Sequence, residues 1–304
     1  MMTLRALIKR NTRLFFKDKG LFFTSLITPV ILLVLYVSFL GNVYSDSLKQ
    51  ILDALPEKII LPDKLMSGFS GAQLVSSILS VSAVTVAFCS NMLMVQDKAN
   101  KTILDFNVSP VKPSVMALAY YVAALISTVT VCLVATVICL GYVALTGWYL
   151  TVLDVVLLVA DVIILCFFGV AISSVVNFFL SSQGQISAVG SMVSSMYGFV
   201  SGAYMPLSQF SEGLRSVIMF FPGTYGTSLA RNHAMRGVFE EMGGLGLPEE
   251  FLEEIKDGFD CNLYFFDCKV DMAVMYAVIL GSVAALVGVY VLLNVIRGKK
   301  KAKG

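Results

Sequence analysis

Long apolar runs separated by short polar segments set the organisation of this chain. A bilayer-crossing helix needs ~20 apolar residues. Runs of that length with few or no Asp, Glu, Lys or Arg recur along the sequence, and they predict spans at 21–43, 74–95, 116–142, 152–179, 186–204 and 272–296. The fourth and fifth are separated by inference. Residues 162–211 hold no charged side chain, too long a stretch for one crossing, and the polar Ser181-Ser182-Gln183-Gly184-Gln185 marks the break. Pro29 is tolerated within the first span because neighbouring helices re-satisfy freed backbone groups.

Between the spans the pattern changes character. Residues 1–19 place Leu4, Leu7, Ile8, Leu14 and Phe15 on one helical face, with Arg5, Lys9, Arg10, Arg13 and Lys17 over the rest, which predicts an interfacial helix. A mixed-charge segment from Ser45 to about Lys64 reads as polar connection, and Trp148 and Tyr149, beyond Gly147, suit an interfacial belt. The uncharged residues 216–230 are too few to cross and are interrupted by Pro222 and Gly223, which predicts a re-entrant pair of short helices over 206–230. Residues 240–271 form a polar insert with ten acidic residues against Lys256 and Lys269.

Composition and charge then fix class and orientation. With 57% hydrophobic and 14% charged residues among 304, the chain suits a bilayer rather than one soluble core. Half of the 22 Lys and Arg sit in the terminal segments, the tail contributing Arg297, Lys299, Lys300, Lys301 and Lys303. By the positive-inside rule both termini belong in the cytoplasm, which requires an even number of spans and places the insert outside. The first run is too long for a signal-peptide core and has no small-x-small cleavage site after it, so it reads as a span.

Candidate chemistry is sparse. There is no G-x-x-x-x-G-K-[ST] phosphate loop, H-E-x-x-H, G-x-S-x-G or metal-spaced Cys pair, so catalytic and metal residues are none and an enzyme is unsupported. Asp161 is the one acid deep in an apolar span. It costs ~3 kcal/mol on insertion scales, against about 6 returned by its apolar neighbours. It reads either as a substrate or proton site, or as a hydrogen-bond partner for Ser or Thr on another helix. Gly190, Ser194, Gly198 and Gly202 repeat every four residues, a small-residue stripe suited to a subunit or pathway interface or to packing within the chain. Cys261 and Cys268 read as either a disulfide across the insert or two free thiols. Cys89, Cys132, Cys139 and Cys166 fall in apolar runs and read as small hydrophobes.

The order of elements resembles the permeases of type 2 ABC exporters over nearly the whole chain: basic interfacial helix, six spans, a cytoplasmic segment after the second, broken helices before the last, and a basic tail. The most specific local match is Asp97-Lys98-Ala99-Asn100-Lys101-Thr102-Ile103-Leu104-Asp105-Phe106-Asn107-Val108-Ser109-Pro110-Val111. It is similar to the family pattern of an acid, polar residues, Gly-Thr, an amphipathic turn and Ser-Pro-Val, with Lys101 where Gly is usual. The resemblance implies that residues 96–111 form a coupling helix seated on an ATPase subunit, through Asp97, Thr102, Ile103, Asp105, Phe106, Ser109 and Pro110. Pro206, Pro222 and Tyr225 match the family's re-entrant exit segment.

The expected protein is therefore one all-α membrane domain over 1–304 in the cell membrane, without a cofactor of its own. The resemblance implies export of an amphipathic substrate (drug, peptide, lipid or lipid-linked glycan), with ATP and Mg held by two copies of a separate ATPase. Expected partners are that ATPase, a second identical or related permease and membrane lipids, with no nucleic acid. The alternatives are an ion-coupled transporter using Asp161, or a membrane sensor whose insert binds a ligand.

Overall fold

The computed structural model describes residues 2–53, 61–103, 111–266 and 268–301. The chain is an all-helical membrane protein. Five helical stretches among the described residues are long and apolar enough to cross a bilayer: Lys19–Ser38, Asp63–Ala99, Pro113–Thr146, Val152–Phe179 and Met272–Gly298. The elements are α1 (Met2–Lys17), α2 (Lys19–Leu35), a π-helical turn (Tyr36–Leu40), α3 (Gly41–Asp53), α4 (Asp63–Ser90) and α5 (Met92–Ala99). Then come α6 (Pro113–Thr146), α7 (Val152–Phe179), α8 (Gln183–Val200), α9 (Glu212–Ile218), α10 (Pro222–Gly244) and α11 (Glu249–Gly258). The two-residue strands β1 (Tyr264–Phe265) and β2 (Cys268–Lys269) form an antiparallel hairpin, and α12 (Met272–Lys301) ends the chain.

The fourth predicted span coincides with α7, whose first turn is fixed by a capping box. The Thr151 hydroxyl accepts from the Asp154 N–H, and the Asp154 carboxylate accepts from the Thr151 N–H. Other boundaries shift. The run predicted as a span over 21–43 continues through the π-helical turn into α3, so part of the segment expected as polar connection is helix packed on α4. The second span begins at Asp63 rather than near residue 74, because Ser and Gly positions that look weak on hydropathy are covered by protein.

α8 is an 18-residue helix, about 27 Å long at 1.5 Å per residue, just short of a ~30 Å hydrocarbon core. It ends at Val200, earlier than the expected 204. The expectation of two short helices over 206–230 is corrected more strongly. A 3-10 turn (Leu207–Gln209) and the seven-residue α9 lead into α10, which has 23 residues and runs into the segment read as an extracellular insert. Pro222 starts this helix rather than interrupting it, since a first-turn Pro gives up no intrahelical hydrogen bond.

α4 lies at the centre. Of its 28 residues 24 are buried, and α2, α6, α7 and α10 pack on it. It carries Ser70, Ser76, Ser77, Ser80, Ser82 and Thr85 inside, while α7 and α12 turn more aliphatic surface outward. Lipid is itself apolar, so helix association in a bilayer comes from close backbone approach and interhelical hydrogen bonds. Gly169 of α7 shows the first: a Cβ there would sit 2.9 Å from the Ala83 carbonyl oxygen and 3.0 Å from Val84 Cα. Gly190 of α8 has nothing within 4 Å of such a Cβ. Gly169→Val is therefore expected to cost about 1–3 kcal/mol in overpacking, read as a lower midpoint of thermal unfolding in detergent, and Gly190→Val to leave the midpoint unchanged.

Candidate functional site

Two polar clusters, and one buried acid beside the second of them, carry the unusual chemistry. The first lies where α5 ends. Asp97 is buried, and its carboxylate accepts from Arg10 Nη1 (2.8 Å), Arg10 Nη2 (3.1 Å) and the Tyr120 hydroxyl (2.6 Å). Asp97 in turn holds the Arg10 guanidinium above its ordinary pKa. Asp97 thus ties α1 and α6 to α5, and its oxygens are engaged inside the chain. Leu4, Leu7 and Ile8 are half-buried as expected of the interfacial helix, but its packed face continues through Asn11 and Phe15, while Leu14 is exposed.

One residue further on, Lys98 donates to the carbonyls of Asn177 (2.8 Å), Phe178 (2.8 Å) and Leu180 (3.0 Å). These are the orphan acceptors at the C-terminal end of α7, where a cation also complements the helix dipole. Asn91, at the kink between α4 and α5, donates to Ser173 Oγ (3.0 Å) and Ser174 Oγ (2.7 Å), and Asn177 donates back to the Asn91 carbonyl (3.3 Å). Lys98 and Arg297 of α12 both stand over the Phe178 ring, 5.6 and 5.3 Å from its centroid. The end of α5 is accordingly fastened to α1, α6 and α7, and shares Phe178 with α12.

Lys101 has φ +61°, the left-handed conformation that commonly follows a helix C-terminus and is usually filled by Gly. The local departure from the family pattern therefore falls on a position whose backbone favours Gly. Thr102 and Ile103 are half-buried at the start of another helical turn. Asp105, Phe106, Ser109 and Pro110 lie outside the described residues.

The second cluster joins α10 to the middle of α4 and the turn after α8. Arg231 is fully buried. Nη1 pairs with Asp260 Oδ2 (3.3 Å), and Nη2 donates to the Gly202 carbonyl (2.9 Å) and Ser77 Oγ (3.3 Å). Asp260 also accepts from the Leu207 N–H at 2.9 and 3.1 Å. Burial pushes the Asp260 carboxyl up to about 6, while Arg231 and that N–H pull it down. Gly202 has φ +70°, and a Cβ on Gly198 would collide with the Tyr204 ring, whose hydroxyl donates to the Ser194 carbonyl (3.1 Å). Three of the four stripe residues thus shape the turn after α8. Gly190 alone faces open space. Thr224 donates to the Val200 carbonyl (3.1 Å), and the Tyr225 hydroxyl to that of Met219 (2.7 Å), so the segment between Pro206 and Pro222 is bound at both ends.

Asp161 lies within α7, buried. Its Oδ2 is 2.5 Å from His233 Nδ1 of α10, and its Oδ1 accepts from the Tyr276 hydroxyl of α12 (2.6 Å). The partners are His and Tyr rather than Ser or Thr, and they link three helices. Nearer the α7 N-terminus, Arg236 pairs with buried Asp154 (2.6 Å). Cys261 and Cys268 are free thiols, the first buried 3.9 Å from Met235 Sδ and the second exposed on β2. In the insert, Lys256 and Lys269 draw the Glu253 carboxyl down to about 2.

Sequence reasoning passed over Arg231 and Lys98. Arg231 is legible in retrospect as the cation that closes the uncharged stretch 216–230, a position where charge is rarely idle. Lys98 carries no such mark, because a lysine at the end of a span reads equally well as a solvated charge.

Two stability measurements follow. Lys101→Gly is expected to gain about 1 kcal/mol by relieving the left-handed backbone, raising the unfolding midpoint. Arg231→Met strands a buried carboxylate and is expected to cost about 3–5 kcal/mol, with Asp260→Asn in the same chain recovering part of the loss. An Arg231→Met midpoint equal to wild type would show that the pair bears no load.

A search of curated proteins finds no match. A comparison with protein-family models matches residues 2–234 to the ABC-2 type transporter family, a stretch from α1 well into α10 that takes in both polar clusters except Asp260. The chain belongs to the ABC-2 type transporter family, as the membrane component of an ABC-type transporter.

Proposed function

We propose that this chain is the permease of an ATP-driven exporter, pairing with a second permease, with an ATPase subunit docked under the segment that begins at the end of α5. The observation that carries the reading is the fastening of that segment. Asp97 holds α1 and α6, Lys98 holds the C-terminus of α7, and Asn91 bonds α7 one turn deeper. A displacement of residues 99–103 cannot be absorbed locally and is passed to three helices. A packed interface of this kind passes motion on because packed interiors do not deform continuously.

The surface left for the ATPase comprises Ala99, Asn100 and Lys101, all exposed, with Thr102 and Ile103 half-exposed. Asp97 acts behind that surface as a positioning residue. ATP and Mg belong to the partner, since no phosphate-binding loop exists here. A second permease would cover the apolar faces left open on α2 (Phe23, Ile27, Ile31) and α8 (Met192, Met196, Phe199) and enclose a route between the copies for an amphipathic substrate. The basic α1 and the basic tail support cytoplasmic termini, with the 240–271 segment outside.

Gentle detergent extraction from native membranes, followed by affinity purification, tests the docking. An ATP-binding subunit is expected to co-purify with the wild type, to be lost with Ile103→Asp, and to remain with Asp97→Asn. Retention in Ile103→Asp together with loss in Asp97→Asn would reverse the assigned roles.

A further inference from the structure

On the insert's side of the bundle two cavities of about 640 and 620 Å³ share Met219, Phe265 and Phe266 and form one groove. One end is apolar, walled by Phe220, Phe265 and Phe266 with Val274 and Val278 of α12. The other is polar, carrying Arg215, Glu212, Ser216 and Tyr264. We propose that this groove binds one zwitterionic phospholipid from the adjoining leaflet, an acyl chain against the phenylalanines and α12, the phosphate on Arg215 and the ammonium toward Glu212. The site is separate from the exporter reading, which decides only whether that leaflet is the outer one.

Position supports this first. β2 ends at Lys269 and α12, a membrane-spanning helix, starts at Met272, so the hairpin stands at the bilayer boundary. Exposure is the second argument. Phe266 is 68% and Phe220 66% exposed, and their rings join Phe265 in one cluster with centroids 4.8–6.2 Å apart. Phe266 also has φ +45°, a left-handed backbone that costs a non-glycine residue about 1–2 kcal/mol. A strained backbone that holds a large ring in the open is unfavourable twice over in water, and lipid removes the larger cost. Aromatic rings are also the side chains that favour the headgroup level.

Charge is the third. Lys269 on the groove rim is engaged by Glu253 at 2.6 Å, whereas Arg215, half-buried on α9, has no ion-pair partner among the described residues. A guanidinium presents a planar fork of donors suited to phosphate. Glu212, one turn earlier on the same helix, supplies the opposite charge that an ethanolamine head requires. Each cavity has a volume in the range of small-molecule sites.

The test uses the full chain in maltoside detergent, with Trp148, the one tryptophan, replaced by Phe and Phe266→Trp as reporter. Chain-brominated phosphatidylethanolamine is titrated in, with chain-brominated diacylglycerol as the phosphate-free control. The expected result is saturable quenching by the phospholipid alone, weakened about tenfold by Arg215→Gln, the value of one charge-assisted contact. Phe220→Trp serves as a second reporter if the first variant fails to fold. Equal quenching by both lipids, no effect of Arg215→Gln, or no quenching at all would overturn the proposal. So would quenching that vanishes as protein concentration rises, which would give the groove to a second copy of the chain.

Discussion

The contact of Lys98 with the last carbonyls of α7 is the interaction on which this end of the bundle depends. A helix end at the bilayer surface has unpaired acceptors and little water to meet them, so whatever meets them also fixes where the helix can go. Here the donor comes from α5, and the next residue back, Asp97, is itself claimed by Arg10 and Tyr120. Two adjacent side chains therefore bind two membrane helices, α6 and α7, and the interfacial helix α1. The position of the turn at Lys101 is set by those bonds more than by its own sequence.

The second cluster follows the same constraint with the charges reversed in origin. Arg231 rises from α10 into a place without water, and the surroundings supply a carboxylate from the insert, a carbonyl from the turn after α8 and a hydroxyl from α4. Asp161, beside that cluster, is met by His233 and Tyr276. Each buried charge draws partners from segments distant in sequence, and together they account for how a bundle with so little polar surface holds a defined arrangement.

Much of this was visible in the residues and part was not. Apolar run length found α7 and α12 directly because lipid-facing helices must be apolar. The same measure placed the start of α4 too late, because a helix enclosed by other helices is free to carry Ser and Gly. α10 was read as short for a related reason: Arg231, His233 and Arg236 look like an exit from the membrane until their partners are seen. The turn at Gly198–Tyr204 shows the limit of spacing arguments. A four-residue repeat of small side chains fits a helix contact, yet here it makes room for the chain's own return. The partners of Asp97 were hidden in the sequence, since only the fold brings Arg10 and Tyr120 to it.

The central claim is that motion at the α5 end reaches the helices through the Asp97 and Lys98 bonds. The direct measurement is the spin-label distance between Met192→Cys positions of paired permeases in complex with the ATPase, in a chain whose six native cysteines are replaced, with and without ATP. The account predicts an ATP-dependent change in that distance that is lost in Lys98→Met while the ATPase stays bound. The same change persisting in Lys98→Met would contradict it.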